Sequence, residues 1–337
     1  MAVPAAGDLT HPALLVLLAD GALHSGEQLA ASLSVSRAAI WKGIEKLRAE
    51  GIVVLSQARR GYRLAQPVDL LDARRIRETV GSDRVALLRR LEVRFAVDST
   101  NTYLFAAPPP PFNTADVCLT EIQRAGRGRR GRRWIAPFGG SLALSIAWTF
   151  PETVRNLPAL SLAVGVTVAR ALARVGATGI ALKWPNDIWF EDRKMGGVLI
   201  ELRAEAGGPA FVVIGIGINV RLAAAARREI EHSGVRVAAV ADACVEPPSR
   251  NVTAGVLLDE LLSMLATFER DGFAPYREPW MRLDALRDRP AEVSLGGAGV
   301  AGIARGVDDD GALVLEADGR SRKFVSGDVS LALQRER

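Results

Sequence analysis

Apolar positions in the first sixty-five residues recur at the helical spacing of three and four. Leu14, Leu15 and Leu18 share one side of a predicted first helix. Its apolar run, LLVLLA at 14–19, is far short of the ~20 residues that span a bilayer. Ser25 followed by Gln28 has the form of a capping box, two reciprocal hydrogen bonds that start a helix. Leu29 and Leu33 then fall at i,i+4. After the short turn SVS, Ser36 caps a helix whose Ile40, Ile44 and Leu47 form an i,i+4,i+7 stripe ending at Gly51. IVVLSQARRGYRL reads as two short strands around a basic turn, Arg59–Arg60–Gly61. Helix, turn, helix and hairpin predict a winged helix-turn-helix over residues 1–65. In that arrangement the second helix enters the major groove of DNA with Ser36, Arg37, Trp41, Lys42 and Glu45 facing outward. Arg59 and Arg60 on the wing meet phosphates, which position a protein without reading sequence. A helical protein-contact module is the alternative; the basic wing favours DNA.

Residues 66–73 form a short Pro-containing linker, and from 74 to 285 the period changes. Val93, Phe95 and Val97 alternate with charges, the mark of a half-buried strand. DSTN at 98–101 then turns that strand into a short helix. Ser99, Thr100 and Asn101 suit an N-cap, and the same groups can hold a small polar ligand. PPPP at 108–111 is a rigid surface turn. DVCLTEIQ and SLALSIAWTF read as strands, the second with Leu142, Leu144, Ile146 and Trp148 alternating with small residues. Residues 157–175 predict a mostly buried helix. IALKWPNDIWF, a turn EDRK, and a glycine-turned hairpin from MGGVLIE to GIGINV complete the region. The predicted class is α+β, a mixed sheet with segregated helices. Residues 286–337 are short strands between Gly/Asp turns, DDDG and ADG, which suggest a small SH3-like β-barrel. DDDG lacks the later glutamate of a calcium loop and reads as a turn.

Composition narrows the function classes. The chain has 337 residues, 49% apolar and 24% charged, ordinary for a soluble globular protein. Its formal charge of +5 permits an anionic partner without requiring one. Cys118 and Cys244 form no CxxC pair, which argues against a disulfide framework or a zinc site and fits a cytoplasmic protein. His11, His24 and His232 are scattered and belong to no catalytic motif. No run of apolar residues predicts a membrane span, and no signal-peptide pattern opens the chain.

Five arginines and three glycines crowd into AGRGRRGRRW, residues 125–134, between two apolar strands. The run lacks GK[ST] and is no P-loop of the Walker type. GIGINV carries Val220 where a dinucleotide fingerprint needs its third glycine. A solvated basic run or an RNA-binding arginine motif is the plain alternative. Against it, the alternating glycines let the backbone close over a ligand, and guanidinium forks suit a phosphate or carboxylate. KWPND at 183–187 adds a lysine, an amide and a carboxylate at one tight turn.

DSTN, QRAGRGRRGRRW, KWPNDI, RKMGGVLIE and GIGINV, in this order and spacing, resemble bacterial biotin–protein ligases. With the winged helix, the chain resembles the bifunctional class that also represses the biotin operon. The resemblance implies a catalytic domain of the class II synthetase/biotin ligase type. It implies activation of biotin by ATP and Mg²⁺ to biotinyl-5′-AMP, then transfer to a lysine of a carboxylase's biotin carboxyl carrier domain. Ser99, Thr100, Asn101, Gln123, Arg127, Gly128, Arg129 and Lys194 would bind biotin. Arg127, Arg129, Trp134, Lys183, Asn186, Asn219 and Arg305 would bind the nucleotide. Lys194, Arg129, Asp187 and Lys183 would carry the catalysis. Operator DNA, bound as a homodimer with biotinyl-5′-AMP as corepressor, would be the second partner. The alternative is a winged-helix sensor that binds biotin or its adenylate without ligation, for which Lys194 has no use.

Overall fold

The structure, a computed structural model, describes residues 11–151, 157–204, 208–295 and 298–331. The chain divides into two compact units between Leu71 and Asp72.

In the first unit, α1 (His11–Leu18), α2 (Gly26–Leu33) and α3 (Arg37–Ala49) precede a hairpin of β1 (Val54–Gln57) and β2 (Gly61–Leu64). The predicted caps are present. Ser25 and Gln28 close a full capping box on α2, and Ser36 Oγ accepts the Ala39 N–H at 3.2 Å. Leu14, Leu18, Leu29, Ile40, Ile44 and Leu47 are buried together as the unit's core. Gly61 at φ 134° lets the backbone approach His24, whose amide and carbonyl pair with Tyr62; a Cβ there would strike the His24 carbonyl. This pairing stitches the wing to the start of α2. Trp41 stays 54% exposed, on the outward face with Arg37 and Lys42. The predicted linker is partly ordered into this unit, since the Val68 N–H donates to Ala19 O at 2.8 Å.

The second unit opens with α4 (Ala73–Glu78), capped by Asp72. It then builds β3 (Leu88–Val97), α5 (Thr100–Phe105), β4 (Ala115–Gln123), β5 (Ser141–Phe150), α6 (Leu160–Arg174), β6 (Ile180–Lys183), β7 (Asp187–Phe190), β8 (Arg193–Ala204) and β9 (Ala210–Asn219). Helices α7 (Ala224–Glu231), α8 (Arg250–Asp271) and α9 (Ala274–Leu283) follow. The seven strands form one sheet in the order β3-β4-β5-β9-β8-β7-β6, parallel at β3–β4 and antiparallel elsewhere.

The alternation in β5 decides what covers each face. Trp148 donates to Glu269 and Phe150 meets the Phe268 ring, so the large side chains face α8. Ser145 and Ala147 point the other way, onto Asn101 and Leu104 of α5. Small residues on that face leave room for α5 and the cavity beside it. α8 is apolar and long enough to cross a membrane, yet it is mostly buried within the protein.

The predicted turn EDRK is shorter in the structure. Glu191 and Asp192, both at positive φ, make the turn, and Arg193 and Lys194 already belong to β8. The turn residues of the β8–β9 hairpin, 205–207, lie outside the described residues. β10 (Pro290–Leu295), β11 (Ala298–Val307), β12 (Leu313–Ala317), β13 (Arg320–Phe324) and β14 (Asp328–Leu331) form an antiparallel sheet in the order β13-β12-β11-β10-β14. DDDG and ADG are its β11–β12 and β12–β13 turns, as expected. The first of these packs on α6. Trp184 Nε1 donates to Gly311 O at 3.1 Å, and a Cβ on Gly311 would press on Ala159.

Candidate adenylation site

A cavity of about 550 Å³ opens beside β8 and β9. It gathers DSTN, the arginine loop, KWPND, Lys194 and Asn219, which lie far apart in the chain. One end is neutral. Ser99 caps α5, and the Thr100 N–H donates to Gln123 Oε1 at 2.9 Å, which ties the helix start to the end of β4. Ser145 Oγ lies 2.7 Å from Thr100 Oγ1 and 2.6 Å from Asn101 Oδ1. Asn101 Nδ2 donates to Leu199 O and to Glu201 Oε2, so both its N–H bonds are committed to protein. Gly215 of β9 lies under this amide, and a Cβ there would overlap it.

Two residues along β9, Gly217 lies under the Trp134 indole, where a Cβ would come within 2.5 Å of the ring. Trp134 Nε1 and Asn219 Oδ1 are both buried, have no hydrogen-bond partner among the described residues, and both line the cavity. A buried donor and acceptor left this way cost free energy that a ligand with a complementary polar edge recovers. The glycines that failed as a dinucleotide fingerprint therefore serve close approach of Asn101 and Trp134.

The charged end is built on β6 to β8. Asn186 is pinned to β8 by bonds in both directions with Val198, at 2.6 and 2.9 Å. Asp187 begins β7 and accepts from Lys194 Nζ at 2.6 Å. A bulge between Ile188 and Trp189 sets the register of Lys194 on β8. Lys183 ends β6 with its Nζ 4.6 Å from the centre of the Trp189 ring. Burial, with Lys194 adding to it, pushes the Lys183 pKa below its usual value against the pull of Asp187.

The arginine loop is tied back on itself by backbone hydrogen bonds. It is ordered by a bridge between Arg127 and Arg133, by Gly128 N–H donating to Arg132 O at 2.7 Å, and by Trp134 N–H donating to Gly126 O at 2.9 Å. Three of its cations meet carboxylates of the protein. Arg127 Nη2 reaches both oxygens of Glu201 at 2.8 Å and Thr102 Oγ1 at 3.0 Å. Arg130 and Arg132 both pair with Asp328 of β14. Arg129 makes no ion pair among the described residues and touches Asn186 Oδ1 at 3.5 Å. Burial lowers its pKa, though a guanidinium remains charged. Arg129, Lys183 and Lys194 thus all line the cavity, with Asp187 bonded to Lys194 and its charge acting on the other two.

Arg305 is not brought to this site. Exposed on β11, it pairs with Asp288 at 2.6 Å and Glu316 at 2.8 Å. Three residues that sequence reasoning passed over belong here: Ser145, Glu201 and Asp328. Their partners lie between 44 and 198 positions away, and nothing local in the chain marks such pairs.

A half-neutral, half-cationic cavity on a mixed sheet suits a ligase that joins a small carboxylic acid to a phosphate. The Biotin/lipoate A/B protein ligase family matches residues 93–219, an HTH domain matches 13–63, and the Biotin protein ligase C terminal domain matches 291–332. The Bifunctional ligase/repressor BirA of Salmonella typhimurium is 40% identical over 96% of this chain and 98% of its own length. The Biotin--[acetyl-CoA-carboxylase] ligase of Mycobacterium tuberculosis is 34% identical over 72% of this chain and 88% of its own. The biotin protein ligase of Aquifex aeolicus in complex with biotin and ATP has the same fold. It superposes with a TM-score of 0.58, at 24% identity, over 73% of this chain and 98% of that one. The chain belongs to the bifunctional ligase/repressor family of biotin protein ligases.

Proposed function

We propose that this protein activates biotin with ATP to biotinyl-5′-AMP, transfers biotin to a lysine of a biotin carboxyl carrier domain, and represses a biotin operon. The observation that carries the first half is the convergence of Arg129, Lys183 and Lys194 next to a neutral polar recess. Biotin's polar head sits at Ser99, Thr100 and Gln123, with Asn101 oriented by Ser145 and Glu201. Its carboxylate oxygen attacks the α-phosphorus of ATP, the C–O–P bond forms, and pyrophosphate leaves. Two anions have to approach, so cations aimed at the phosphoryl oxygens supply the largest stabilisation. Asp187 holds Lys194 aimed, and Arg129, a loop cation with no ion pair among the described residues, is left to meet the phosphate. Trp134 and Asn219 face the nucleotide with their unmatched donor and acceptor. In the second step the carrier amine attacks the acyl carbon, and AMP departs with its phosphate still held by Lys194.

Among the described residues no group of three or more metal-ligating side chains gathers. Mg²⁺ would accompany the phosphates of ATP. The exposed face of α3 with Arg37, Trp41 and Lys42, and the wing with Arg59 and Arg60, bind operator DNA as a homodimer with the adenylate as corepressor. This reading places the chain in the cytoplasm.

The test is incubation with ATP, Mg²⁺, labelled biotin and an apo carrier domain. Transfer of label is expected; label that binds without transfer supports a sensor instead. Lys194→Ala should lose adenylate formation by at least the ~10²-fold typical of a deleted electrostatic contact to a transition state. Pyrophosphate release at the wild-type rate from that variant removes the role given to Lys194.

A further inference from the structure

The wall of the cavity at the far end of β9 is held in an unusual way. Along that strand Gly215 meets Asn101, Gly217 meets Trp134, and Asn219 leads into α7. Ile230 of α7, with Ser233 and Val235 beyond it, lines the same cavity as Trp134 and Asn219, which the ligase reading gives to the nucleotide. Yet α7 has no buried side chain, and Ala223 gives its N-terminus no side-chain hydrogen bond. Little apolar burial and no side-chain cap hold this helix, since Ile230 is only half-buried, and an isolated helix of eight residues is unstable in water.

Polar bonds to the segment that follows take their place, most of them from Arg227. Arg227 Nη1 donates to Val237 O at 2.6 Å, and Nη2 reaches the Asp242 oxygens at 3.0 and 2.8 Å. Glu231 Oε1 accepts the Val237 N–H at 3.2 Å. Arg193 Nη1 lies 3.6 Å from the same Asp242, next in sequence to Lys194. The Lys194 backbone pairs with Arg236 and Ala238 of the same segment at 2.9 Å each. Burial pushes the Asp242 pKa up. The Arg227 hydrogen bond, the Ala239 N–H and the charges of Arg227 and Arg193 outweigh that and keep it below the usual carboxylate value. The latch is therefore ionic at neutral pH.

We propose that Arg227 is a positioning residue for ATP, latching α7 and the turn after it through Asp242 and Val237 O as the nucleotide wall of the cavity. The assignment rests on the ligase reading and adds to it a residue outside every motif that marks the family in this sequence. Arg227 touches no reacting atom; it acts through Ile230, Ser233 and Val235. The biotin end, at Ser99 to Asn101, has a separate set of supports and should not feel its loss.

The test uses the full chain and measures pyrophosphate release as ATP and biotin are varied separately. Arg227→Ala and Asp242→Ala should each raise the KM for ATP by about tenfold, the equivalent of one lost charge-assisted bond. The KM for biotin should stay within about twofold, which also reports an intact fold. The double variant should be no worse than the worse single, because both break one latch. Arg227→Lys should recover part of the ATP affinity. An ATP KM unchanged in Arg227→Ala overturns the proposal, as do a biotin KM that rises in step and additive effects in the double variant. A wild-type chain that releases no pyrophosphate removes the ligase reading itself, a different result from a working enzyme indifferent to Arg227.

Discussion

At the scale of the residue, the site depends on side chains that are missing. Gly215 and Gly217 bring the Asn101 amide and the Trp134 ring against the backbone of β9. Alanine at either position forces its neighbour to move, since overpacking a close contact costs on the order of 1–3 kcal/mol. The two substitutions should separate the substrates. Gly215→Ala displaces Asn101 and should weaken biotin binding, while Gly217→Ala displaces Trp134 and should weaken ATP binding. Isothermal titration of each variant with each ligand checks this; equal losses for both ligands in both variants would mean that the strand itself has shifted. Glu201 illustrates a second residue-scale device. Its two oxygens serve Arg127 while one also receives Asn101, so one carboxylate orients the recess and anchors the loop.

At the scale of the element, the joint between α9, β6 and β11 holds a carboxyl that no catalytic step uses. Asp284 follows α9, with its backbone beside Leu182 of β6. Oδ1 accepts the Leu286 N–H at 2.9 Å, while Oδ2 is buried with no hydrogen-bond partner among the described residues. Burial raises its pKa to about 6, against the Leu286 N–H and the charge of Arg287. An unfolded aspartate ionises near 4, so between about pH 4 and 6 the folded chain holds a proton that the unfolded chain has released. Stability on this account falls as pH rises through that window and is level above it. Asp284→Asn keeps the Oδ1 acceptor and removes the charge. It should raise stability by on the order of 1–3 kcal/mol at pH 8, with the gain shrinking toward pH 4. Thermal melts across that range decide it, and a gain of the same size at both ends counts against a buried charge. Elements of this kind were legible where a local rule forms them: the capping residues Ser25, Gln28 and Ser36 and the large–small alternation of β5 foretold helix starts and sheet faces. The parallel pairing of β3 with β4 and the carboxylates that neutralise the arginine loop were not legible, because each joins segments that only the folded chain brings together. Arg305 failed for the same reason: its charge suggested a phosphate, and the fold supplied Asp288 and Glu316 instead.

At the scale of the whole molecule, the chain separates two kinds of arginine. Those of the loop at 127–132 are largely neutralised by carboxylates of their own unit. Arg59 and Arg60 of the wing are exposed, at a turn where Arg59 has φ 61° and holds the tip open to solvent. A buried or paired guanidinium orders protein, whereas an exposed one beside a groove-sized helix is free to displace counter-ions from DNA. The unit boundary at Leu71 and Asp72 puts the two sets in different compact bodies. Arg59→Ala with Arg60→Ala should therefore weaken binding to a mixed-sequence duplex and lower the slope of log affinity against log salt by about 2, near one for each lost phosphate contact. Transfer of labelled biotin by the same variant should be unchanged. Fluorescence anisotropy at several salt concentrations and the transfer assay read the two outcomes independently. If the slope stays the same, the wing does not touch phosphate and α3 alone carries the contact. If transfer falls with DNA affinity, the two units are energetically coupled, and the wing arginines contribute to the ligase as well as to DNA binding.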